Sequence, residues 1–298
     1  MNVAKYSISD LEKLTGIKAH TIRIWEKRYS IISPERTDTN IRYYSVTDLQ
    51  RLLNISFLNR HGFKISHISE MSDMDITDEV GRICEIPGAE DGSMSELLKA
   101  TNELDEDRFE RLLNGTILKL GFEQTFQLVV FPLLEKIDLL WQIGKISACQ
   151  ERFVNNLIKH KLVVAIDGMV GHNQSTNEHF LLFLPLGLYD EINLLYANYL
   201  LRKVGHQVIY LGPSIPVENL RSLSNREIID SIVVSVNQGF TERELASYGQ
   251  KLAGIFPGKR VFLVSIGFDS HVELPPEIVK ISDFQSFAKS ISGRTRDN

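Results

Sequence analysis

The residues of this chain best suited to chemistry lie between His20 and Tyr44, in the string HTIRIWEKRYSIISPERTDTNIRYY. His20, Thr21, Arg23, Lys27 and Arg28 come first, followed by Arg36, Asn40, Arg42, Tyr43 and Tyr44. Guanidinium and ammonium groups neutralise phosphates, and short polar or forked side chains hydrogen-bond base edges. The chemistry implied is binding of duplex nucleic acid. Elsewhere no nucleophile, base and oxyanion donors form a recognisable set, so no catalytic residues and no enzyme are expected. His160, His172, His179, His206 and His271 stand apart from cysteines and acids at ligand spacing, which predicts no metal site. Neither of the glycine-rich phosphate-binding fingerprints occurs.

These cations need helices to present them. Ser7 or Ser9 can cap a first helix with Ile8, Leu11 and Leu14 at helical spacing, and Thr15-Gly16 supplies its turn. A second helix starts near Lys18 and turns Ile22 and Trp25 inward with Ile17, leaving Thr21, Arg23, Lys27 and Arg28 outside. Pro34-Glu35-Arg36, the polar tip 37–40 and Ile41-Arg42-Tyr43-Tyr44 then read as a hairpin, with Asn40 suited to its left-handed turn. Ser45 caps a further helix through Leu49, Leu52, Leu53, Ile55 and Phe57. A helix-turn-helix followed by P-x-R, a hairpin closing on R-x-Y and a D-x-x-x-L helix resembles the winged-helix domain of MerR-type transcriptional regulators. Here those elements are Pro34, Arg36, Arg42, Tyr44, Asp48 and Leu52, with Asn40 where the family prefers Gly. The string IRIWEKRY is similar to the subgroup that carries light-sensing or cobalamin-sensing partner domains. The resemblance implies that Thr21 and Arg23 approach the major groove and that His20, Lys27 and Arg28 contact phosphates or flanking edges. It also implies that Arg36 and Arg42 reach phosphate or the minor groove, while Tyr44 packs the wing and bonds phosphate.

Charge is segregated in the same sense. Residues 1–73 hold 11 Lys and Arg against 8 Asp and Glu, a formal +3, whereas the chain of 298 residues carries −5, so the remainder carries −8. Hydrophobic residues at 43% and charged residues at 24% give enough apolar material for two or three cores. Cys84 and Cys149 are far apart, which fits a reducing compartment. With no signal peptide or spanning apolar run, a cytoplasmic protein without membrane contact is expected.

Residues 1–73 are thus expected to form the winged helix, and the acidic, Gly- and Pro-bearing stretch 74–93 a linker without a dimerising helix. Residues 94–172 read as a four-helix bundle: one helix opening at Leu97-Leu98, one through Phe109 to Leu120, one from Phe126 to Trp141 bent at Pro132, and one capped by Ser147. Beyond them, His179–Pro185, Gln207–Leu211, Asp230–Val236 and Arg260–Ile266 are short apolar runs separated by amphipathic helices. Residues 178–292 should therefore be a doubly wound parallel sheet, giving a multidomain α/β chain overall. Function would lie in the strand-end loops 186–190, 212–216, 237–241 and 267–271, where Ser235 and Ser265 could hydrogen-bond a ligand.

The bundle and sheet, with LWQIGKISACQERF and HQVIYLGPSIPVENL, resemble the cobalamin-binding module of light-sensing MerR-type repressors over about residues 95–290. That family's axial cobalt ligand is the His of [DE]-x-H-x-x-G. The matching stretch is Leu188 to Asn193, with Asp190 at the His position, so acid, His and Gly are all replaced. Trp141 and Glu151 match residues that shield the upper ligand, Arg152 replaces the accompanying His, and Gly267 keeps one glycine of a pair. Trp141 reads as a core residue closing the bundle onto the sheet and Glu151 as a first-turn acid; alternatively both line a pocket. No cofactor is expected, because carboxylate is a poorer donor to cobalt than imidazole. The whole reads as a regulator that binds double-stranded operator DNA as a homo-oligomer. Its sheet domain serves assembly or a protein partner, or, in the alternative, senses cobalamin or another small effector without an axial His.

Overall fold

The computed structural model describes residues 6–36, 42–83, 92–169, 178–224, 228–236, 240–266 and 273–292. They divide into two units, 1–157 and 158–298.

In the first unit, helix starts are written locally. The Ser7 hydroxyl accepts from the Asp10 N–H while Asp10 accepts from the Ser7 N–H, and α1 (Ile8–Thr15) follows, ending at Gly16 with φ +72°. After α2 (Ala19–Tyr29), strands β1 (Glu35–Arg36) and β2 (Arg42–Tyr43) pair antiparallel. The same reciprocal cap between Ser45 and Asp48 opens α3 (Val46–Arg60), and a single turn, α4 (Ile65–Ile68), comes next. Leu11, Ile22, Tyr44, Leu49, Leu52 and Ile55 bury a common core.

The stretch expected to be a linker contains a helix, α5 (Asp73–Ile83). Ser72 and Asp75 cap it reciprocally, and Ile76 and Val80, one turn apart, are buried in the winged-helix core while Asp78 between them is exposed. Two buried positions among so many acids are a weak signal in sequence. Residues 84–91 lie outside the described set.

The helical segment follows the expected plan: α6 (Gly92–Glu103), α7 (Glu106–Leu120) capped by Asp105, then a run from α8 (Phe122–Thr125) to α9 (Phe131–Gln142). The bend expected at Pro132 takes the form of a π-turn over Phe126–Val130, in which the Phe131 N–H reaches the Phe126 carbonyl. Proline lacks the N–H and crowds the carbonyl four residues back, and the wider turn accommodates both defects. Ser147 and Gln150 cap each other at the start of α10 (Ala148–Asp167).

The second unit is built on a five-stranded parallel sheet in the order β4-β3-β5-β6-β7. Its elements are β3 (His179–Pro185), α11 (Ile192–Val204), β4 (Gln207–Ile215), a 3-10 turn over Val217–Leu220, α12 (Arg221–Ser224), β5 (Ser231–Ser235), α13 (Glu242–Ile255), β6 (Arg260–Val264), β7 (Ile278–Ile281) and α14 (Phe284–Ser292). Leu181, Phe183, Ile232, Val234 and Leu263 share one core with Leu245 and Leu252 of α13. On the other face Phe180 meets Phe262, and Phe262 meets Phe287 of α14 edge-on. Burial on both faces explains the unbroken apolar runs.

Two strands depart from expectation. β7 is a fifth strand with only its end residues Ile278 and Ile281 buried, too short and too polar to stand out. β4 continues through Gly212-Pro213-Ser214, which was expected to be loop. It is an edge strand, where a proline costs no ladder bond, and its pairing with β3 slips at Gly212, whose φ is +82°.

Candidate nucleic-acid interface and sheet crevice

α2 begins without a cap of its own, since Lys18 makes no side-chain cap bond. Glu12 of α1 replaces it, accepting from the Ala19 N–H at 3.1 Å and from Lys18 Nζ at 3.3 Å. The backbone bond chiefly, with Lys18 beside it, holds the Glu12 carboxyl below the ordinary carboxylate range. One side of α2 is then fixed by fully buried Ile22 and half-buried Trp25 and Tyr29. The other presents His20, Arg23, Lys27 and Arg28 to solvent, with Thr21 half-buried. Arg28 lies over the Tyr29 ring at 5.3 Å, which orients its guanidinium.

In the wing, Arg36 stands directly opposite Arg42, and Glu35 opposite Tyr43. Opposed like charges destabilise a hairpin unless something neutralises them. Part of that neutralisation is internal: Arg42 Nε lies 3.2 Å from both carboxylate oxygens of Glu26 on α2. This pair ties the wing to α2, a role that spacing alone did not reveal for Glu26, because its partner is 16 residues away. The Tyr43 hydroxyl donates to Glu35. Asn40 lies outside the described residues.

Tyr44 is fully buried, and its backbone pairs with that of Tyr6 in both directions. Of the two roles expected for it, wing packing matches this placement; a phosphate bond does not, because a hydroxyl at that depth has no route to the surface. The buried hydroxyl has no hydrogen-bond partner among the described residues, and burial raises its pKa. Tyr44→Phe should therefore leave thermal stability unchanged or slightly raised and DNA affinity unaltered, since an unpaired buried hydroxyl costs about 1–3 kcal/mol. Melting curves and a binding titration check both halves.

In the second unit the chain runs from β3 to β4 on one side and then crosses to β5 on the other. At such a reversal, here the carboxyl ends of β3 and β5, doubly wound sheets take ligands. Asp190 and Ser235 stand at those two strand ends, Ser235 buried and Asp190 open to water. Asp190 is nonetheless crowded by protein, and that desolvation, with the charge of Glu191 added, pushes its carboxyl up. Its Oδ1 accepts the Ile192 N–H at 3.2 Å, an aspartate turn at the start of α11. Next to it, Glu191 is occupied on both oxygens, by Lys159 Nζ and by the Tyr210 hydroxyl at 2.7 Å. Burial and Glu191 together push the Tyr210 phenol up. The loop is tied to the β4 end by Ser214, whose hydroxyl accepts the Gly187 N–H at 3.1 Å and whose own N–H donates to the Leu188 carbonyl at 3.1 Å.

These residues do not fit a cobalt held by a protein imidazole. The position offers carboxylates, one engaged by a backbone N–H and the other closed by an ion pair and a phenol. The Ser265 hydroxyl is buried with no hydrogen-bond partner among the described residues, so one polar atom at the end of β6 remains unsatisfied. Gly267 lies outside the described residues. His179 faces Asp230 at 3.6 Å and buried His206 bonds the Ile291 carbonyl, both structural roles. Among the described residues no cluster of His, Cys, Asp and Glu could hold a metal ion, and no helix is long and apolar enough to cross a membrane. Cys149 is exposed and free.

Trp141, Glu151 and Arg152 belong to the first unit. Trp141, expected as a core residue, packs with Leu139 and Leu140 against the winged-helix core, which Ile143 completes. Gln50 of α3 donates to the Trp141 carbonyl at 3.0 Å. Glu151 accepts from Asn155 Nδ2 at 3.3 Å, and Arg152 is exposed.

Comparison with known proteins agrees with this architecture. Residues 6–75 match the MerR HTH family regulatory protein model. The HTH-type transcriptional repressor CarH of Myxococcus xanthus is 26% identical over 222 residues, covering 72% of this chain and 73% of the relative. The repressor CarA of the same organism is 21% identical, with 80% and 79% covered. Among solved structures, the monomethylamine corrinoid protein of Methanosarcina barkeri aligns with a TM-score of 0.51 over 66% of this chain and 95% of that one, at 10% identity, which establishes a shared fold. The family match and the similar repressors together define the class, a transcriptional regulator with a helix-turn-helix domain. Residues 6–75 are of the MerR type, and the chain carries a cobalamin-binding-like domain.

Proposed function

We propose that this regulator reads operator DNA with Arg23 and Thr21 of α2 in the major groove, while His20, Lys27, Arg28 and the wing arginines Arg36 and Arg42 hold phosphates. The observation that carries the reading is the sorting of α2, with one side buried by Ile22 and the opposite side a stripe of exposed cations. Asn40 and Tyr43 extend the contact from the wing. One such domain buries too little surface to select a site, so selective binding needs two or more copies on a repeated operator. The sheet domain supplies that assembly or receives a protein partner.

A second reading, a regulator responsive to cobalamin, is favoured by the fold shared with a corrinoid protein. In this reading Asp190 and Ser235 of the second unit would line the pocket, and a corrinoid would be held without a cobalt ligand from the β3 loop. One measurement separates the two. Protein incubated with adenosylcobalamin in the dark, desalted and scanned in the visible, should retain no stoichiometric chromophore, and its size on gel filtration should not change on illumination. A retained red chromophore with a light-dependent size would establish the second reading and overturn a sheet domain that works without a ligand.

A further inference from the structure

Ile24 is the odd residue on the recognition helix. It is 53% exposed, yet it lies in the middle of a charged stripe. By the 3.6-residue turn it sits about 160° around the helix from buried Ile22, with His20 one turn before it and Lys27 and Arg28 one turn after it. A single exposed aliphatic side chain is ordinary on a protein surface, so exposure alone decides nothing. Position decides it. The cations around Ile24 draw α2 onto phosphates, and the helix that fills the groove between them presents its central residue to the base edges.

Ile24 has no polar atom and cannot read a donor or an acceptor. In the major groove of a B-form duplex one apolar group projects from the base edges, the C5 methyl of thymine. Branched and stiff at χ1, isoleucine loses little rotamer freedom on contact. We infer that Ile24 is a specificity-determining residue that packs on the methyl of one thymine in each half-site. The inference rests on α2 being the groove-reading helix. It adds a base preference that Arg23 cannot supply, because a guanidinium discriminates by hydrogen bonds to base edges.

The test uses the full-length protein. High-affinity sites are selected from random duplex DNA, and every thymine in the selected site is replaced singly by deoxyuridine, which removes the methyl and leaves the hydrogen-bonding pattern intact. The expected result is one thymine per half-site at which deoxyuridine weakens the wild-type protein about fourfold, the worth of one buried methyl-sized group. Ile24→Ser should bind thymine and deoxyuridine sites equally, and Ile24→Val should keep most of the difference. Because the side chain is exposed, none of these variants threatens the fold, and far-UV circular dichroism confirms that. Selected sites without a methyl-sensitive thymine, or an equal deoxyuridine penalty in wild type and Ile24→Ser, would overturn the inference while leaving the DNA-reading role of α2 in place. Failure to select any site would instead remove that role, and this inference with it.

Discussion

Arg23→Ala should weaken operator binding by about 1–3 kcal/mol, tenfold in the middle of that range, and leave affinity for random duplex much less affected. Arg23 is exposed on α2, clear of the side that Ile22 buries. A guanidinium that makes a bidentate contact to a base edge loses discrimination when truncated, whereas one that meets only phosphate loses affinity for all sequences alike. Arg42 supplies the contrast. Its Nε already bonds Glu26, so Arg42→Ala removes a wing cation, loosens the wing from α2 and leaves the Glu26 carboxylate unneutralised near the phosphates. Binding to cognate and random DNA should therefore fall together, with the salt slope smaller by about one. Titrations of both variants on both duplexes at two salt concentrations separate the cases. A uniform loss for Arg23→Ala would move that residue from base reading to phosphate contact.

How much of this could be read in the chain follows the range of the interaction involved. Ser45 and Ser147, and Ser7 as one of two candidates with Ser9, were legible as helix starts because each cap closes within three residues. The sheet was legible because strands buried on both faces become unbroken apolar runs, as HFLLFLP shows. α5 was missed where two buried residues had to outweigh a run of acids, and β7 where only the ends of IVKI are buried. At the candidate site the exposed cations of α2 followed from helical phase. The same phase places Ile24 among them, but an aliphatic residue in a basic stripe does not announce a role. The Glu26–Arg42 pair, the closure of Glu191 by Lys159 and Tyr210, and the packing of Trp141 depend on chain segments brought together only by the fold, 16, 32, 19 and, for Gln50 with Trp141, 91 residues apart.

That last separation carries the second large effect. Trp141→Ala should lower the unfolding free energy of the ligand-free protein by about 2–3 kcal/mol, somewhat less than the roughly 3–5 kcal/mol typical of a fully buried aromatic, because the ring is only partly buried. The loss should appear as a lower midpoint in urea at unchanged slope, together with weaker DNA binding. The binding defect follows from position: Trp141, Leu139, Leu140 and Ile143 pack into the same core as Leu49, Leu52 and Ile22, so the end of α9 helps hold α3 and, through Ile22, the recognition helix. A residue whose work was to shield a ligand would behave otherwise, leaving ligand-free stability and DNA affinity near wild type. Trp141→Phe refines the comparison, since it keeps most of the apolar contact and should recover most of both losses. If the expected pattern is found, the winged helix and the third helix of the bundle form one mechanical element. Any ligand or partner that shifts α9 then acts on DNA through the packing around Ile143, with no separate dimerising helix needed to transmit the change.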